Sequence, residues 1–543
     1  MKRAYLLPLL LVLPLGCHDD PESGGHSSRR VLPMVALDDS VAYVDGTSGL
    51  VFLLDPADPA LKPRMVPTGK SPIAAEKRKG ANQLLVLSHG DQGSTSTESE
   101  PARLFLIDPA SKAPPVTTDL PGRYGQLAQS DDGVFAILYY DGSVSSGAGG
   151  SMLYNPNDLA VVRLDGSKPL ASRPIRSLGS VPIGVRFSPP GSTLFGQRRN
   201  LAVVLAQNYV TLLDLDNADR TEITVPLVPD GNRTVTPAQV LFDMAGPAIY
   251  IRADGSNDVF QISLAQGAPA DSNANNTSND FHVSLSLIGS GSAPTDMAMF
   301  GTGDKKRLAV TAPGNRQIAI LDPTTGSATS IPTGVQVNRI LLFNGPSPKS
   351  SENQDRALLA AVGTGESTLV FADLKDIETA QGLALESWSV PAPVADITSL
   401  PGNIALLTHQ YAAGGAALSI VNLFDRTIEP IGSSAALDRV TVEATVQSRL
   451  WGTDGANRAE YLDLVDRGQG RLYSGEVIVD RTITNIVPLA AKSADGKRHL
   501  VLEMEDPTNV GYVTVLYADQ PDRKAARSAY GFLLTDYLER GQP

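Results

Sequence analysis

Short apolar runs, most of them ending in aspartate, recur along almost the whole chain, and this repetition constrains the fold more than any other feature. They read LVFLLD at 50–55, RLFLID at 103–108, LAVVRLD at 159–165, YVTLLD at 209–214 and VFQISL at 259–264. QIAILD at 317–322, LVFAD at 369–373, LSIVNLFD at 418–425, YLDLVD at 461–466 and VTVLYAD at 513–519 follow. A second apolar run precedes nearly every one, at 41–44, 84–87, 134–139, 201–205, 248–251, 307–311, 358–362, 404–407 and 499–502; only the ninth unit's, at 449–451, is weak. Runs this short, rich in Val, Ile, Leu and aromatics and bounded by Gly, Asp, Asn and Pro, are strands. Their period of roughly fifty residues falls in the range of propeller blades.

A third element joins consecutive units. Thr68-Gly69-Lys70-Ser71-Pro72, Leu178-Gly179-Ser180-Val181-Pro182 and Gly291-Ser292-Ala293-Pro294 each place Gly three residues before Pro. Glycine supplies the positive φ of a tight turn, and proline opens a strand where no amide donor is needed. The units resemble those of YVTN-type β-propellers, with a Gly-x-x-Pro entry and paired strands ending in Asp; the resemblance spans about 31–520 and is clearest at 291–332. It implies an all-β chain, a β-propeller of about eight to ten degenerate four-stranded blades, or two fused propellers.

The physical argument agrees. A lone four-stranded blade cannot bury both faces, so blades stack around an axis, and strands covered on both sides read as continuous apolar runs. The alternative architecture, a stack of β-sandwiches, predicts linkers that 31–520 lacks. Closure of the ring requires the apolar pair at 499–502 and 513–517 to lie beside the first unit. The segment 524–540 then serves as a helix or as closing strands.

The N-terminus carries an address. Lys2 and Arg3 precede an apolar run at 6–15, too short to span a bilayer, that ends in Leu13-Pro14-Leu15-Gly16-Cys17. This resembles the bacterial lipoprotein signal, in which a small residue precedes a cysteine that is lipidated and becomes the new N-terminus. Gly16 fits that pattern, whereas Pro14 and Leu15 depart from it. Cys17 is the only cysteine, so it has no internal disulfide partner. The expected organisation is a signal peptide at 1–17 with lipid on Cys17, a polar tether at 18–30, and a propeller body at 31–543. His18, in place of the aspartate that retains lipoproteins at the inner membrane of enteric bacteria, favours the outer membrane, facing the periplasm or the surface.

No catalytic signature emerges. A net charge of −13 repels phosphate backbones and argues against a nucleic-acid partner. Thr68-Gly69-Lys70-Ser71 looks like the end of a phosphate-binding loop, but Arg64 stands where its first glycine belongs and Pro72 would disturb the helix, so its place in the repeat explains it. The run DSNANNTSND at 271–280 puts Asn276 where a calcium loop needs glycine and His282 where it needs glutamate. Neither G-x-S-x-G nor His-Glu-x-x-His occurs. No catalytic residue, metal ligand or cofactor is assigned.

With strands lettered a to d outward from the axis, loops b–c and d–a share one face of the disc, and loops a–b and c–d share the other. The recurring Asp then starts the c–d turn by accepting a backbone hydrogen bond. Loops b–c are long at 88–102, 140–158 and 408–417 and short near Gln207-Asn208. Loops on a rigid scaffold carry specificity. Asp91, Glu98, Glu100, Tyr139, Tyr140, Asp141 and Tyr154 are the candidate partner-binding residues, aromatic area with an acidic rim. The expected function is a non-enzymatic, lipid-anchored envelope scaffold for a protein partner. The alternative is a propeller hydrolase, lactonase or lyase with a site in the channel. A carbohydrate binder ranks last, because Trp388 and Trp451 are the only tryptophans.

Overall fold

The computed structural model describes residues 30–534 apart from 92–99, 141–156, 167–171, 176–179, 218–221, 229–230, 268–279, 348–349, 401–402, 414–415, 433–438, 443–448 and 464–472. Ten four-stranded antiparallel sheets follow one another along the chain. They are blade 1 (35–67), blade 2 (72–119), blade 3 (126–175), blade 4 (182–226), blade 5 (236–289), blade 6 (296–332), blade 7 (339–389), blade 8 (394–432), blade 9 (439–478) and blade 10 (483–530). Blade 4 carries an extra hairpin, Thr193–Leu194 with Gln197–Arg198, between its first two strands.

The strands alternate their side chains between two neighbours, which is why they are apolar throughout. In Val41–Asp45, Val41 and Tyr43 pack toward blade 10, and Ala42 and Val44 pack toward blade 2. Ten clusters of buried side chains result, one at each junction of consecutive blades, the tenth joining blade 10 to blade 1. The chain is therefore one closed ring of ten blades, which resolves the choice between one propeller and two. A fully buried Leu, Ile or Phe in these clusters contributes about 1.5–3 kcal/mol relative to exposure.

Strand a is the inner strand of each blade. Side chains on one strand a hydrogen-bond the backbone of a neighbouring one: Gln129 Nε2 donates to the Lys77 carbonyl (3.0 Å) and Gln239 Nε2 to the Met297 carbonyl (2.9 Å). Met297 N returns a bond to Gln239 Oε1 (2.9 Å), and Ile340 N donates to Asp296 Oδ2 (2.8 Å).

Among the described residues, closure uses packing and no exchanged strand. Phe532 and Leu533, just past the last strand, enter the same cluster as Tyr43 and Phe52. Ala491 N donates to the Asp38 carbonyl (2.7 Å), and Arg527 spans 469 positions to the Asp58 carbonyl (3.0 Å). The segment past 524 thus supplies an outer strand, Arg527–Tyr530, and one turn of 3-10 helix, Phe532–Leu534.

The turn chemistry follows the repeat. Asp55, Asp108 and Asp322 accept from the backbone N–H two residues on, at 2.8, 2.9 and 2.8 Å. Gly69 and Gly291 have φ of 72° and 96°. The stretch 408–417, expected as a long loop, is partly paired instead, and blade 7 has a comparably long ladder. In blade 8, strand Ile404–Ala413 runs past a bulge to strand Ala416–Asn422; in blade 7, Arg339–Ser347 pairs with Ser350–Ala360. Antiparallel ladders extend as long as both backbones find partners, and polar side chains do not prevent it. Among the described residues no helix is long and apolar enough to cross a membrane.

Candidate functional site

Cys17, Glu98, Asp141 and Tyr154 lie outside the described residues. The remaining b–c residues are engaged by the ring itself. Asp91 pairs with Lys70 Nζ (2.7 Å), accepts from Glu100 N (3.0 Å) through Oδ2, and receives Arg123 on its main-chain oxygen. The hydrogen bond from Lys70 is the main cause that lowers the Asp91 pKa. Glu100 accepts from Lys70 N (3.2 Å) and lies 3.7 Å from Arg103. His89 donates from Nε2 to the Tyr124 carbonyl (2.9 Å).

Tyr139 is half-buried in its strand, and Tyr140 is 3% exposed. The Tyr140 ring packs 4.9 Å from that of Tyr124 in the blade 2–3 junction, and burial pushes its phenol up to about 12. Tyr140 therefore belongs to the core and supplies none of the exposed aromatic area expected of it. The apolar junction between blades is a better place for the ring than solvent, and Gly122 leaves the room for it: a Cβ there would meet Tyr140 Oη.

The inner strands bear on channel chemistry. They hold four carboxylates, Glu76, Asp243, Asp296 and Asp396, and no histidine. Asp243 is held by Lys306 (2.6 Å), and Asp296 accepts from Gln239 and Ile340. His409 and His499 sit on second strands, where each donates to or accepts from neighbouring serine or backbone groups. Among the described residues no group of three or more His, Cys, Asp or Glu side chains is placed so that it could hold a metal ion.

The a–b and c–d face has a groove of about 440 Å³ between blades 7 and 8. In blade 7, the connection from strand Thr368–Asp373 to strand Leu385–Ser389 passes through three short helical turns, and Leu383 at its end is 82% exposed. In blade 8, strand Ala416–Asn422 ends before the turn residues Leu423 to Arg426. Leu423 turns into the core, and Phe424 is left 48% exposed. The Phe424 ring rests over Gly345, where a Cβ would lie 3.8 Å away. Trp388, half-buried, lines the groove and meets Phe371 edge-on at 5.9 Å.

Beneath these apolar groups lies a charged cluster. Arg426 donates to Asp373 Oδ1 (3.0 Å) and to Glu386, and its guanidinium lies 5.7 Å from the centre of the Phe371 ring. Arg356, across the ladder from Asp373, is 1% exposed and places Nε 2.9 Å from Asp373 Oδ1. Its guanidinium forms no hydrogen bond among the described residues. Burial is the main cause that lowers the Arg356 pKa, Arg426 adds to it, and Asp373 opposes it.

This site was hard to see in sequence. The run LSIVNLFD reads as a strand ending at Asp425, which would bury Phe424. The strand instead stops at Asn422, whose Oδ1 accepts from Phe424 N (3.0 Å) and begins the turn three residues early.

No family model matches the chain, and no curated protein matches it. Solved structures similar in part include the dihydro-heme d1 dehydrogenase NirN in complex with DHE, at 10% identity and TM-score 0.37, covering 82% of this chain and 73% of that one. Citrobacter koseri AztD follows at 11% identity and TM-score 0.34, covering 82% and 94%. A catalytically inactive virginiamycin B lyase from Staphylococcus aureus with quinupristin gives 12% identity and TM-score 0.32, covering 60% and 90%. The activities in those names belong to those proteins.

Proposed function

We propose that this chain is a non-enzymatic scaffold of the bacterial envelope, held to the outer membrane by lipid on Cys17, that binds a protein partner at the groove between blades 7 and 8. The observation that carries the reading is Leu383, a large apolar side chain left exposed in the lining of the groove, with Phe424 also exposed on the blade 8 turn, next in sequence to the lining residue Asp425. Exposed apolar side chains clustered within a polar rim are what protein-binding surfaces use. Asp91 and Glu100 on the opposite face are engaged by Lys70 and Arg123, which moves the reading away from the b–c loops.

The ring suits the role. Ten packed junctions hold the groove's two walls, so little is lost in ordering them on binding. Cross-linked capture from envelope fractions should drop by about thirtyfold or more in the Leu383→Asp, Phe424→Asp double variant, because apolar anchors buried on binding are each worth about a kcal/mol or more. Cys17→Ser should move the chain from the membrane fraction to the soluble exported fraction. Unchanged capture by a folded double variant overturns the docking reading, and a mature chain beginning elsewhere than position 17 overturns the anchor.

A further inference from the structure

We infer that the occupant of this groove is a basic, amphipathic segment of the partner, setting an apolar side chain against Leu383 and Trp388 and a lysine or arginine beside Glu386 and Asp425. The inference rests on the docking reading above and adds the chemistry of the occupant.

The argument is one of charge and depth. The groove cluster holds three carboxylates, Asp373, Glu386 and Asp425, and two guanidiniums, Arg356 and Arg426. The cations are inside: the side chains of Arg356 and Arg426 are 1% and 11% exposed, and both are turned to Asp373. The anions are outside, with Glu386 47% exposed at its side chain and Asp425 on the exposed c–d turn. The surface that a visitor meets is therefore negative, although arginine lies just below it.

An anionic segment would have to displace Glu386 from Arg426 and then sit beside Asp425. A cationic one needs neither step. The net charge of −13 acts in the same sense at longer range, steering basic partners toward the ring. The apolar half of the recognition is already in place. Trp388 is braced by Phe371, which meets its ring edge-on, so it presents a fixed surface.

Trp388 makes the groove directly observable. The only other tryptophan, Trp451, is wholly buried in the blade 9–10 junction. The full chain is titrated with three synthetic peptides of equal length that share leucine positions and carry lysine, glutamate or serine elsewhere. Trp388→Phe serves as the blank. The lysine peptide should shift Trp388 emission and bind about tenfold tighter than the glutamate peptide, with the gap closing as salt is raised. Asp425→Asn, which leaves the Arg426 pairs intact, should weaken the lysine peptide several-fold without changing the unfolding temperature. Leu383→Ser should weaken all three. Equal or tighter binding of the glutamate or serine peptide overturns the inference while the docking reading stands. No Trp388 response to any of the three overturns both.

Discussion

The ring of Phe532 stands edge-on to that of Tyr43, with centroids 5.2 Å apart and planes at 66°. One belongs to the last described turn of the chain and the other to the second strand of blade 1, so this contact is part of the seam that closes the propeller. Among the described residues no strand is shared across the seam, and its strength lies in side-chain packing and a few hydrogen bonds.

Phe532→Ala should therefore lower stability by about 3–5 kcal/mol, the usual cost of an emptied aromatic site. Removing residues from 498 onward should destabilise the whole ring, because it exposes the blade 1 face as well. Tyr43 gives the control. Its hydroxyl is buried with no hydrogen-bond partner among the described residues, and burial pushes its pKa well above the ordinary range. Tyr43→Phe should be neutral or slightly stabilising, since a buried unpaired hydroxyl costs about 1–3 kcal/mol. Thermal unfolding of the four proteins checks this, and a truncation as stable as the full chain would sink the seam argument.

Gly122 and Tyr140 offer a rescue experiment. Gly122→Ala forces a Cβ against Tyr140 Oη and should cost about 1–3 kcal/mol through overpacking. Adding Tyr140→Phe removes the colliding oxygen, so the double variant should recover much of the loss. Absence of recovery would place the strain elsewhere than at this contact.

The ring was legible because its logic is local. Each unit repeats paired apolar runs, a Gly-x-x-Pro entry and an Asp turn, and each feature answers to one physical need. The number of rings was not legible, since a two-ring chain and a ten-blade ring have the same runs; only the unbroken series of junctions from blade 1 to blade 10 decides it. The site was less legible still. Tyr140 reads as a loop residue because it follows its strand, yet a neighbouring glycine makes room for it in the core. Leu383 sits in an insert of the seventh unit that breaks the repeat, and Phe424 lies in a run whose pattern predicts burial. Exposure at both depends on where a strand stops, which apolar patterning specifies poorly.

Acid should weaken the ring in a window set by histidine. Burial is the main cause lowering the pKa of His89, His409 and His499 below the ordinary value. The unfolded chain takes up these protons near pH 6.5, about the ordinary histidine value, while the folded chain still resists them. Stability is then fully present above about pH 6.5 and falls as pH drops from there toward the folded values. His409 shows why. Its Nδ1 donates to the Ala392 carbonyl (2.9 Å), which leaves Nε2 to accept from Ser419 Oγ (2.8 Å), an arrangement that a second ring proton breaks. His409→Gln should flatten the dependence of unfolding temperature on pH between about 7.5 and 5, below and above the ordinary pKa. An equally steep profile in the variant would remove His409 from the account.

The charged cluster beneath the groove should respond very unequally to its members. Asp373 is the single carboxylate that both Arg356 and Arg426 approach, at 2.9 and 3.0 Å. Asp373→Asn leaves two buried guanidiniums facing each other with only Glu386 to balance them, and should cost about 3–5 kcal/mol, the usual penalty for stranding a buried charge. Arg356→Met removes the cation that makes no hydrogen bond among the described residues, keeps most of its volume, and leaves Asp373 to Arg426. Replacing a buried charge with an apolar side chain of similar size is often neutral or stabilising, by about 1–4 kcal/mol for whole pairs. The expected order in denaturant unfolding is therefore Arg356→Met close to or above the parent, and Asp373→Asn well below it. The double variant should recover part of the Asp373→Asn loss, because one of the stranded cations is gone. A loss for Arg356→Met as large as that for Asp373→Asn would mean that Arg356 is held by more than Asp373, and the cluster would have to be redrawn.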